Sequence, residues 1–302
     1  MIRPRTEDQR PKAQQICHQI CKKSGSNFFY SFYLLGTKKR HALEAFYAFC
    51  RLVDDAVDLA PNETEAQKNL RFWRNEVEAI YAGAPMHPVS KVLKDAVAVF
   101  AIPKKYLEEI VTGCEMDLSK KSYATFAELN LYCYRVASCV GLVCIRIFGA
   151  TLTEKLEQGS IALGKALQLT NIIRDIVTDL GQGRVYIPAE DLKRFGVSLS
   201  DLGGANSKNL NLIDLLYFEI ERAKKFFAGA WSQFPTEKKE RRKLMAAIVM
   251  GKFYESILNK IAKDPMAIFK GKVGLTRTEK INITLRTFLS RCHCERSEAI
   301  SQ

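Results

Sequence analysis

The chain has 302 residues, 47% hydrophobic and 26% charged, a composition typical of a globular protein with a sizeable core. Its formal net charge of +13 suits nucleic acid, anionic lipid or an anionic small molecule as a partner. The basic residues are spread along the chain, and the one dense run, 238–243, lacks a zinc-finger, recognition-helix or aromatic RNA-binding motif. We therefore expect no nucleic acid partner and favour a membrane surface or an anionic substrate.

The nine cysteines are odd in number and lie mostly in apolar, helix-like segments, which is typical of reduced thiols in cytosolic proteins. Two Cys-His groupings, at 17–21 and 292–294, do not have the spacing of structural zinc sites. Residues 1–5 lead into polar sequence without the apolar segment of a signal peptide. The longest apolar run, 136–145, ends at Arg146 and is too short to span a bilayer. We expect a cytoplasmic protein, with peripheral membrane contact left open.

Hydrophobic residues recur with helical periodicity nearly throughout the chain, and alternating strand patterns are nearly absent. In chain order, the pattern predicts helices at 7–22, 38–59, 63–82, 88–100, 103–119, 126–149, 153–180, 209–232, 237–263 and 275–290. Segments rich in glycine or proline separate several of them. No linker-like stretch or internal repeat divides the chain. We therefore predict an all-α fold with a single domain over residues 1–290.

The second predicted helix carries an acidic motif, Asp54-Asp55-Ala56-Val57-Asp58, in which Asp54 and Asp58 share one helix face. Tyr47 and Arg51 precede them at spacings that fall in the same narrow sector, while the other faces are apolar. An ordinary solvated face is the alternative interpretation. Such a face would carry mixed Lys and Glu rather than this set, so a functional polar stripe is favoured.

The seventh predicted helix carries a matching stripe. Asp175 and Asp179 are again four residues apart, and Gln168 and Asn171 precede them in the same sector. Burying such carboxylates without partners is costly, so we expect a cation beside them. Mg²⁺ takes one or two carboxylates per ion and completes its shell with water and phosphate oxygens. The two stripes together predict Mg²⁺ sites that also hold a substrate phosphate.

The sixth predicted helix places Tyr132, Val136, Cys139 and Val143 on one face, with small residues beside them. Small residues permit close helix packing or leave space for a ligand, and plain core packing explains the pattern equally well. The segment Gly181-Gln182-Gly183 follows no strand, so it does not predict a dinucleotide-binding fold.

Three segments, in this order and spacing, resemble the signatures of the squalene and phytoene synthase family. Residues 47–58 resemble its first aspartate-rich motif, residues 132–141 its central signature, and residues 163–188 its second signature at every anchor. The similarity extends over roughly residues 15–275.

Within this family, residues 23–26 and 113–118 and the short chain are most similar to bacterial presqualene diphosphate synthases of the hopanoid-linked squalene route. The final segment, 291–302, has no counterpart in the family pattern. We expect that segment to be a disordered tail and assign it no role.

The resemblance implies a single α-helical isoprenoid-synthase domain with a central cavity between the two aspartate helices. It implies two or three Mg²⁺ ions that bridge prenyl diphosphates to five carboxylates: Asp54, Asp55, Asp58, Asp175 and Asp179. Further side chains would contact diphosphate or order the metal shell: Arg51, Gln168, Asn171 and Arg174. Tyr47 and Tyr132, together with Arg51, would act at the reacting centre.

The resemblance also implies substrate contacts near both ends of the chain. An N-terminal flap would bind substrate through Ser24, Ser26, Asn27 and Phe28, where Asn27 replaces a serine that the family usually has. An amide can still donate to phosphate. Lys272 is the nearest counterpart of a diphosphate-binding arginine; it keeps the charge but loses the bidentate fork.

The reaction implied is the head-to-head condensation of two farnesyl diphosphates to presqualene diphosphate, with release of diphosphate, for squalene and hopanoid synthesis. Because the sequence offers no sign of a nicotinamide site, we expect no such cofactor and a reaction that stops at this intermediate. Enzymes downstream on the squalene route are candidate partners.

Phytoene or dehydrosqualene synthase is the nearest alternative, since each shares the first step. Head-to-tail prenyltransferases and terpene cyclases fit less well, because residues 174–179 supply neither a second DDxxD motif nor an Asn/Ser/Glu triad. From another class, a non-catalytic basic helical protein on membranes or nucleic acid is the remaining alternative.

Overall fold

The computed structural model describes residues 10–24, 31–204 and 209–298, with side chains described as far as residue 289. Within these residues the protein is built from helices, with one isolated parallel bridge between Ser122 and Val185 and no strand. The prediction of an all-α fold is confirmed.

We number the helices in chain order. The first half of the chain forms α1 Arg10–Lys23, α2 Thr37–Asp58, α3 Glu63–Ala82, α4 Pro88–Phe100, α5 Lys104–Ser119 and α6 Phe126–Phe148. The second half forms α7 Glu154–Gly181, α8 Ala189–Phe195, α9 Leu199–Leu202, α10 Leu210–Gln233, α11 Lys238–Lys243, α12 Met245–Lys263, α13 Ala267–Lys270 and α14 Arg277–Glu298.

Every predicted helix has a counterpart, because the long amphipathic segments carry a clear period. Side-chain caps fix several starts: Asn62 accepts the N–H of Glu65 at 3.0 Å before α3. The ninth predicted helix is two helices, since the chain bends at Leu244 between α11 and α12. The short helices α8, α9 and α13 have seven, four and four residues and were not predicted, because such lengths show no period.

Five helices surround the centre of the molecule. α6 packs against α5 and α7, α2 packs against α5 and α6, and α12 packs against α7. Their inward faces join one apolar core that includes Phe46, Phe49, Leu163 and Phe253. The two helices that carry the acidic stripes, α2 and α7, thereby face a common interior.

Helix α6 contains a π-helical turn at Tyr134–Ser138. The wider turn changes which side chains face inward. The residues of α6 that line the central cavity form two rows with a spacing of four residues: Tyr132, Val136, Val140, Cys144 and Phe148 in one, and Ala137, Gly141 and Ile145 in the other. Of the four residues placed on one face from the sequence, Tyr132 and Val136 line the cavity, whereas Cys139 and Val143 are buried in the core.

The π turn is fixed against α7 by a glycine. A Cβ on Gly164 would lie 2.6 Å from the Ser138 Cα, so the two backbones approach as only glycine allows. The Ser138 hydroxyl also donates to the Ile161 carbonyl at 2.8 Å. This contact sets the distance between α6 and α7.

By length and composition, α6 is the one helix among the described residues that could cross a membrane. The apolar run in the sequence begins at residue 136 and ends before Arg146, but the helix starts earlier, at Phe126. Half of the most apolar 18-residue stretch of this helix is buried inside the protein. Its contacts with α5 and α7 make α6 a core helix.

The last helix, α14, continues to Glu298 and so enters the segment predicted to be a disordered tail. The domain boundary predicted at residue 290 therefore does not coincide with a helix end. Residues 299–302 lie outside the described residues, and the absence of a role for the tail stays a prediction.

Gly164→Ala is expected to destabilise the fold by about 1–3 kcal/mol, because the new methyl would overlap the Ser138 backbone. Gly229→Ala on α10 is the matched control. Gly229 is exposed, and a methyl group there would meet nothing within 4 Å, so alanine should add about 0.5–1 kcal/mol of helix stability. Urea unfolding measures both, and equal effects of the two substitutions would contradict the close approach.

Candidate active site

A cavity of about 340 Å³ lies between α2, α5, α6, α7 and α12. Its lining is polar at one end, where these side chains meet: Tyr47, Arg51, Asp54, Asp117, Tyr132, Gln168, Asn171 and Tyr254. The remainder is mostly apolar and includes Leu43, Phe46, Ile110, Val140, Ile145, Phe148, Leu163 and Met250. From Tyr132 to Phe148 the lining of α6 spans roughly 24 Å. The shape suits an amphiphile with an anionic head and a long apolar tail.

Helix α2 brings its polar stripe to the open end of the cavity. Arg51 lies 2.5 Å from Asp55 and 3.6 Å from Asp54, measured between guanidinium nitrogen and carboxylate oxygen. Tyr47, Arg51 and Asp54 line the cavity, whereas Asp55 lies behind them. The Asp54 side chain is 46% exposed, so a ligand entering from the open end can reach it.

Helix α7 supplies the opposite wall. Gln168 and Asn171 line the cavity, and the buried Oδ1 of Asn171 has no hydrogen-bond partner within the described residues. One turn further on, Arg174 donates to both oxygens of Asp175, at 2.9 and 2.5 Å. The carboxylate of Asp179 accepts no hydrogen bond from the part of the chain that the structure describes. Asp175 and Asp179 follow further along α7 and are not part of the cavity lining.

Arg184, in the loop after α7, connects the two acidic motifs. Its guanidinium donates to Asp58 Oδ1 at 2.7 Å, which ties the end of α2 to this loop. The same positive charge acts on Asp179 and on Asp117. The two motifs therefore face one shared space, as expected from the sequence for a cavity between the aspartate helices.

The aspartates of this region outnumber the arginines beside them. Loss of water among the surrounding protein atoms, followed by repulsion from Asp58, raises the pKa of Asp54 to about 7. Burial, followed by repulsion from Asp175, raises the pKa of Asp179 to about 7. Both carboxylates would give up their protons more readily if a cation were bound beside them.

Asp117 on α5 is a site residue that was not predicted from the sequence. It is only 7% exposed, and its carboxylate accepts hydrogen bonds from the hydroxyls of Tyr132 at 3.1 Å and Tyr186 at 2.7 Å. The two phenol rings stack with their centroids 5.2 Å apart. Burial raises the pKa of Asp117, and the two phenols and Arg184 oppose that shift.

A signal for Asp117 exists in the sequence. Ile110, Cys114 and Asp117 continue one stripe of α5, so a carboxylate stands where the helical period requires a buried residue. Arg184 and Tyr186 lie in the matched segment 163–188 but received no role, because only the fold brings them to Asp58 and Asp117.

Some predicted substrate contacts do not reach the cavity. The Ser24 hydroxyl donates to the Cys21 carbonyl at 2.7 Å, at the end of α1. Lys272 is exposed and is absent from the cavity lining, so the structure gives no support to its predicted role. The flap residues Ser26, Asn27 and Phe28 lie outside the described residues. Their roles stay predictions.

Comparisons with known proteins agree with this geometry. A presqualene diphosphate synthase from Rhodopseudomonas palustris is 36% identical over 265 residues, which cover 87% of this chain and 92% of the relative. A phytoene synthase from Arthrospira platensis is 32% identical over 290 residues, covering 92% of this chain and 93% of the relative. A solved dehydrosqualene synthase with a bound ligand superposes with a TM-score of 0.84 at 27% identity, covering 93% of this chain and 97% of that one.

The sequence model of squalene/phytoene synthases matches residues 21–279, a range that includes both acidic helices and every wall of the cavity. The helical fold, the paired acidic stripes and this match all concern the same part of the chain. The chain therefore belongs to the squalene/phytoene synthase family, whose prenyltransferases condense two prenyl diphosphates head to head.

Proposed function

We propose that this chain condenses two farnesyl diphosphates to presqualene diphosphate and releases diphosphate, for squalene and hopanoid synthesis. The observation that carries the proposal is the apolar cavity whose one polar end is lined by residues of both acidic stripes. An anionic head group would bind at that end, and a prenyl chain would extend among the apolar residues. Phytoene synthases match with similar identity, so phytoene or dehydrosqualene synthesis is the second candidate.

We assign Mg²⁺ to the oxygen donors of the two stripes: Asp54, Asp58, Asp175 and Asp179, with Asp55 in support. The raised pKa values of Asp54 and Asp179 support this assignment, because they indicate negative charge that a cation would compensate. The described residues contain no group of three or more His, Cys, Asp or Glu side chains that could hold a metal without help. One or two carboxylates per ion, completed by water and diphosphate oxygens, fit such an arrangement.

When bound, Mg²⁺ would stabilise the charge of the departing diphosphate. The chain's own cations, Arg51, Arg174 and Arg184, stand at the same end and would share that task. The unpaired Asn171 Oδ1 is an acceptor that could order water there. Tyr47 and Tyr132 lie where this polar end meets the apolar lining.

The apolar part of the cavity would protect the allylic cation that forms when one substrate loses diphosphate. Water is excluded by side chains such as Phe46, Ile110 and Leu163, which offer no nucleophile. The double bond of the second substrate would attack the cation, and loss of a proton would close the cyclopropane ring. We propose that the reaction stops there, without a nicotinamide cofactor.

The decisive test is incubation of the purified chain with C15 or C20 prenyl diphosphate and Mg²⁺, with and without a nicotinamide cofactor. Presqualene diphosphate from the C15 substrate, unchanged by the nicotinamide, is the expected product. Asp54→Asn and Asp175→Asn should each lower the rate by about 10²-fold or more, because the diphosphate loses charge stabilisation. Asp214→Asn, at an exposed position of α10, is the matched control and should leave the rate unchanged.

Other outcomes of this incubation have definite meanings. Phytoene from the C20 substrate would support the second candidate. Failure of either substrate to release diphosphate would overturn the enzyme proposal, as would full activity in Asp54→Asn.

Stability should depend on pH through Asp54 and Asp179. Their folded pKa of about 7 exceeds the ordinary value of 3.8, so the native state loses stability as the pH rises from about 4 to about 7. In metal-free buffer at pH 8, Asp54→Asn should therefore raise the melting temperature, by about 1–3 °C because the side chain is half exposed.

When Mg²⁺ and inorganic pyrophosphate are added, the wild type should become the protein with the higher melting temperature at pH 8. The two ligands should raise the melting temperature of the wild type more at pH 8 than at pH 6. At each pH they should raise it more than they raise that of Asp54→Asn. Comparing the two proteins at one pH cancels the titration of pyrophosphate itself. Equal ligand-induced shifts in both proteins would argue against Asp54 as a metal ligand.

We propose a cytoplasmic location with peripheral contact to an anionic membrane through α14. Ile281, Leu285 and Leu289 are 57%, 53% and 60% exposed and form one stripe of this helix. The exposed Arg277 and Arg286 flank the stripe on either side. Charge favours anionic lipid over a second copy of the chain, whose arginines would repel.

Flotation with vesicles measures this contact. Binding to vesicles of phosphatidylglycerol and phosphatidylcholine is expected, and Ile281→Asn with Leu285→Asn should lower the bound fraction several-fold. Leu210→Asn, at another exposed leucine, is the control and should not change it. Equal binding of neutral vesicles, or self-association that the double substitution abolishes, would overturn the proposal.

A further inference from the structure

We propose that Asp117 is the final acceptor of the proton lost at ring closure, and that the proton reaches it through the Tyr132 hydroxyl. The inference rests on the proposed function and deepens it, because it assigns the base of that reaction. It concerns a carboxylate that neither acidic motif contains.

The first support is the direction of the hydrogen bonds. Tyr132 and Asp117 both line the polar end of the cavity, from α6 and α5. The Tyr132 hydroxyl donates to Asp117 Oδ2 at 3.1 Å, and its distance to the Tyr186 hydroxyl is longer, 3.4 Å. Since Tyr186 donates its own proton to Asp117 Oδ1 at 2.7 Å, the carboxylate collects both phenol protons. The lone pairs of the Tyr132 oxygen remain available to accept a proton.

The second support is the difference between Asp117 and the other carboxylates. Asp55, Asp58 and Asp175 are each paired with an arginine, so protonating them would break an ion pair. Asp117 accepts only from neutral phenols and is 7% exposed. Burial raises the pKa of Asp117. From a greater distance, Arg184 lowers that pKa and Asp58 raises it. Asp117 can take up a proton without losing a charged partner.

The third support is enclosure. The Tyr123 ring stacks on Tyr186 with centroids 5.8 Å apart and lies 5.5 Å from the Tyr132 ring. The three rings pack together beside Asp117, which is 7% exposed. A proton delivered to Asp117 is thereby shielded from bulk water.

The step balances in atoms and charge. A C–H bond of the condensed cation breaks, and its electron pair forms the last C–C bond of the cyclopropane. The proton bonds to the Tyr132 oxygen while the original phenol proton moves to Asp117 Oδ2. Tyr132 ends neutral, the cation becomes a neutral hydrocarbon centre, and the carboxylate becomes a carboxylic acid.

The test separates ionisation from proton loss by measuring diphosphate release and cyclopropyl product in the same reaction with farnesyl diphosphate and Mg²⁺. In Asp117→Asn, diphosphate release should stay within about tenfold of wild type, with KM unchanged. The yield of cyclopropyl product per diphosphate should fall by about 10²-fold, with prenyl alcohols from water capture in its place. Tyr132→Phe should give the same change in yield, because it removes the relaying hydroxyl and keeps Asp117.

Tyr123→Phe is the matched control. It removes a buried phenol hydroxyl of the same cluster that has no hydrogen-bond partner within the described residues, and it keeps the ring. Its yield per diphosphate should equal that of wild type. Melting temperatures of all three variants verify that they are folded.

The outcomes distinguish this inference from the proposed function. A wild-type yield in either Asp117→Asn or Tyr132→Phe overturns the relay and leaves the proposed function standing. A wild type that releases diphosphate but makes no cyclopropyl product overturns the proposed function, and the relay with it.

Discussion

Crowding of negative charge against an apolar cavity is the constraint on which the site depends. Burial, followed by repulsion from Asp58 within α2, raises the pKa of Asp54 to about 7, and burial with repulsion from Asp175 within α7 does the same for Asp179. Both effects oppose the folding of this end of the site. The core around α6 offsets them, since the contact of Gly164 with Ser138 fixes α7 in place. Stability of the apolar part thus maintains an electrostatically unfavourable polar end.

Six aspartates near this end have three different environments. Asp55, Asp58 and Asp175 are paired with arginines, Asp54 and Asp179 are incompletely compensated, and Asp117 accepts from phenols. The side chain is the same in each case, so the surroundings alone set its pKa and its partners. Under the proposed function, these differences would let one small site separate charge stabilisation from proton transfer.

The sequence predicted those parts of the site that depend on local spacing. Helical period alone placed Tyr47, Arg51 and Asp54 on one face, and Gln168 and Asn171 on another, and these five residues do line the cavity. Contacts between distant segments could not be predicted this way.

The pairing of Arg184 with Asp58 joins residues 126 positions apart. The approach of Tyr186 to Asp117 joins residues 69 positions apart. The π turn was missed for another reason: its residues, 134–138, have ordinary helical composition, and packing against Gly164 rather than local preference selects the wider turn.

That turn has a consequence for how the cavity can change. Because a π turn takes one residue more than an α turn, deleting one residue from 134–138 would restore a regular α-helix and leave the rotation of everything after it nearly unchanged. Val140, Cys144 and Phe148 would stay in the cavity wall. Only the wide turn beside Gly164 would be remodelled. A length change of one residue is therefore a route by which a chain of this fold could alter the contact between α6 and α7 in one evolutionary step while it keeps the rest of the cavity.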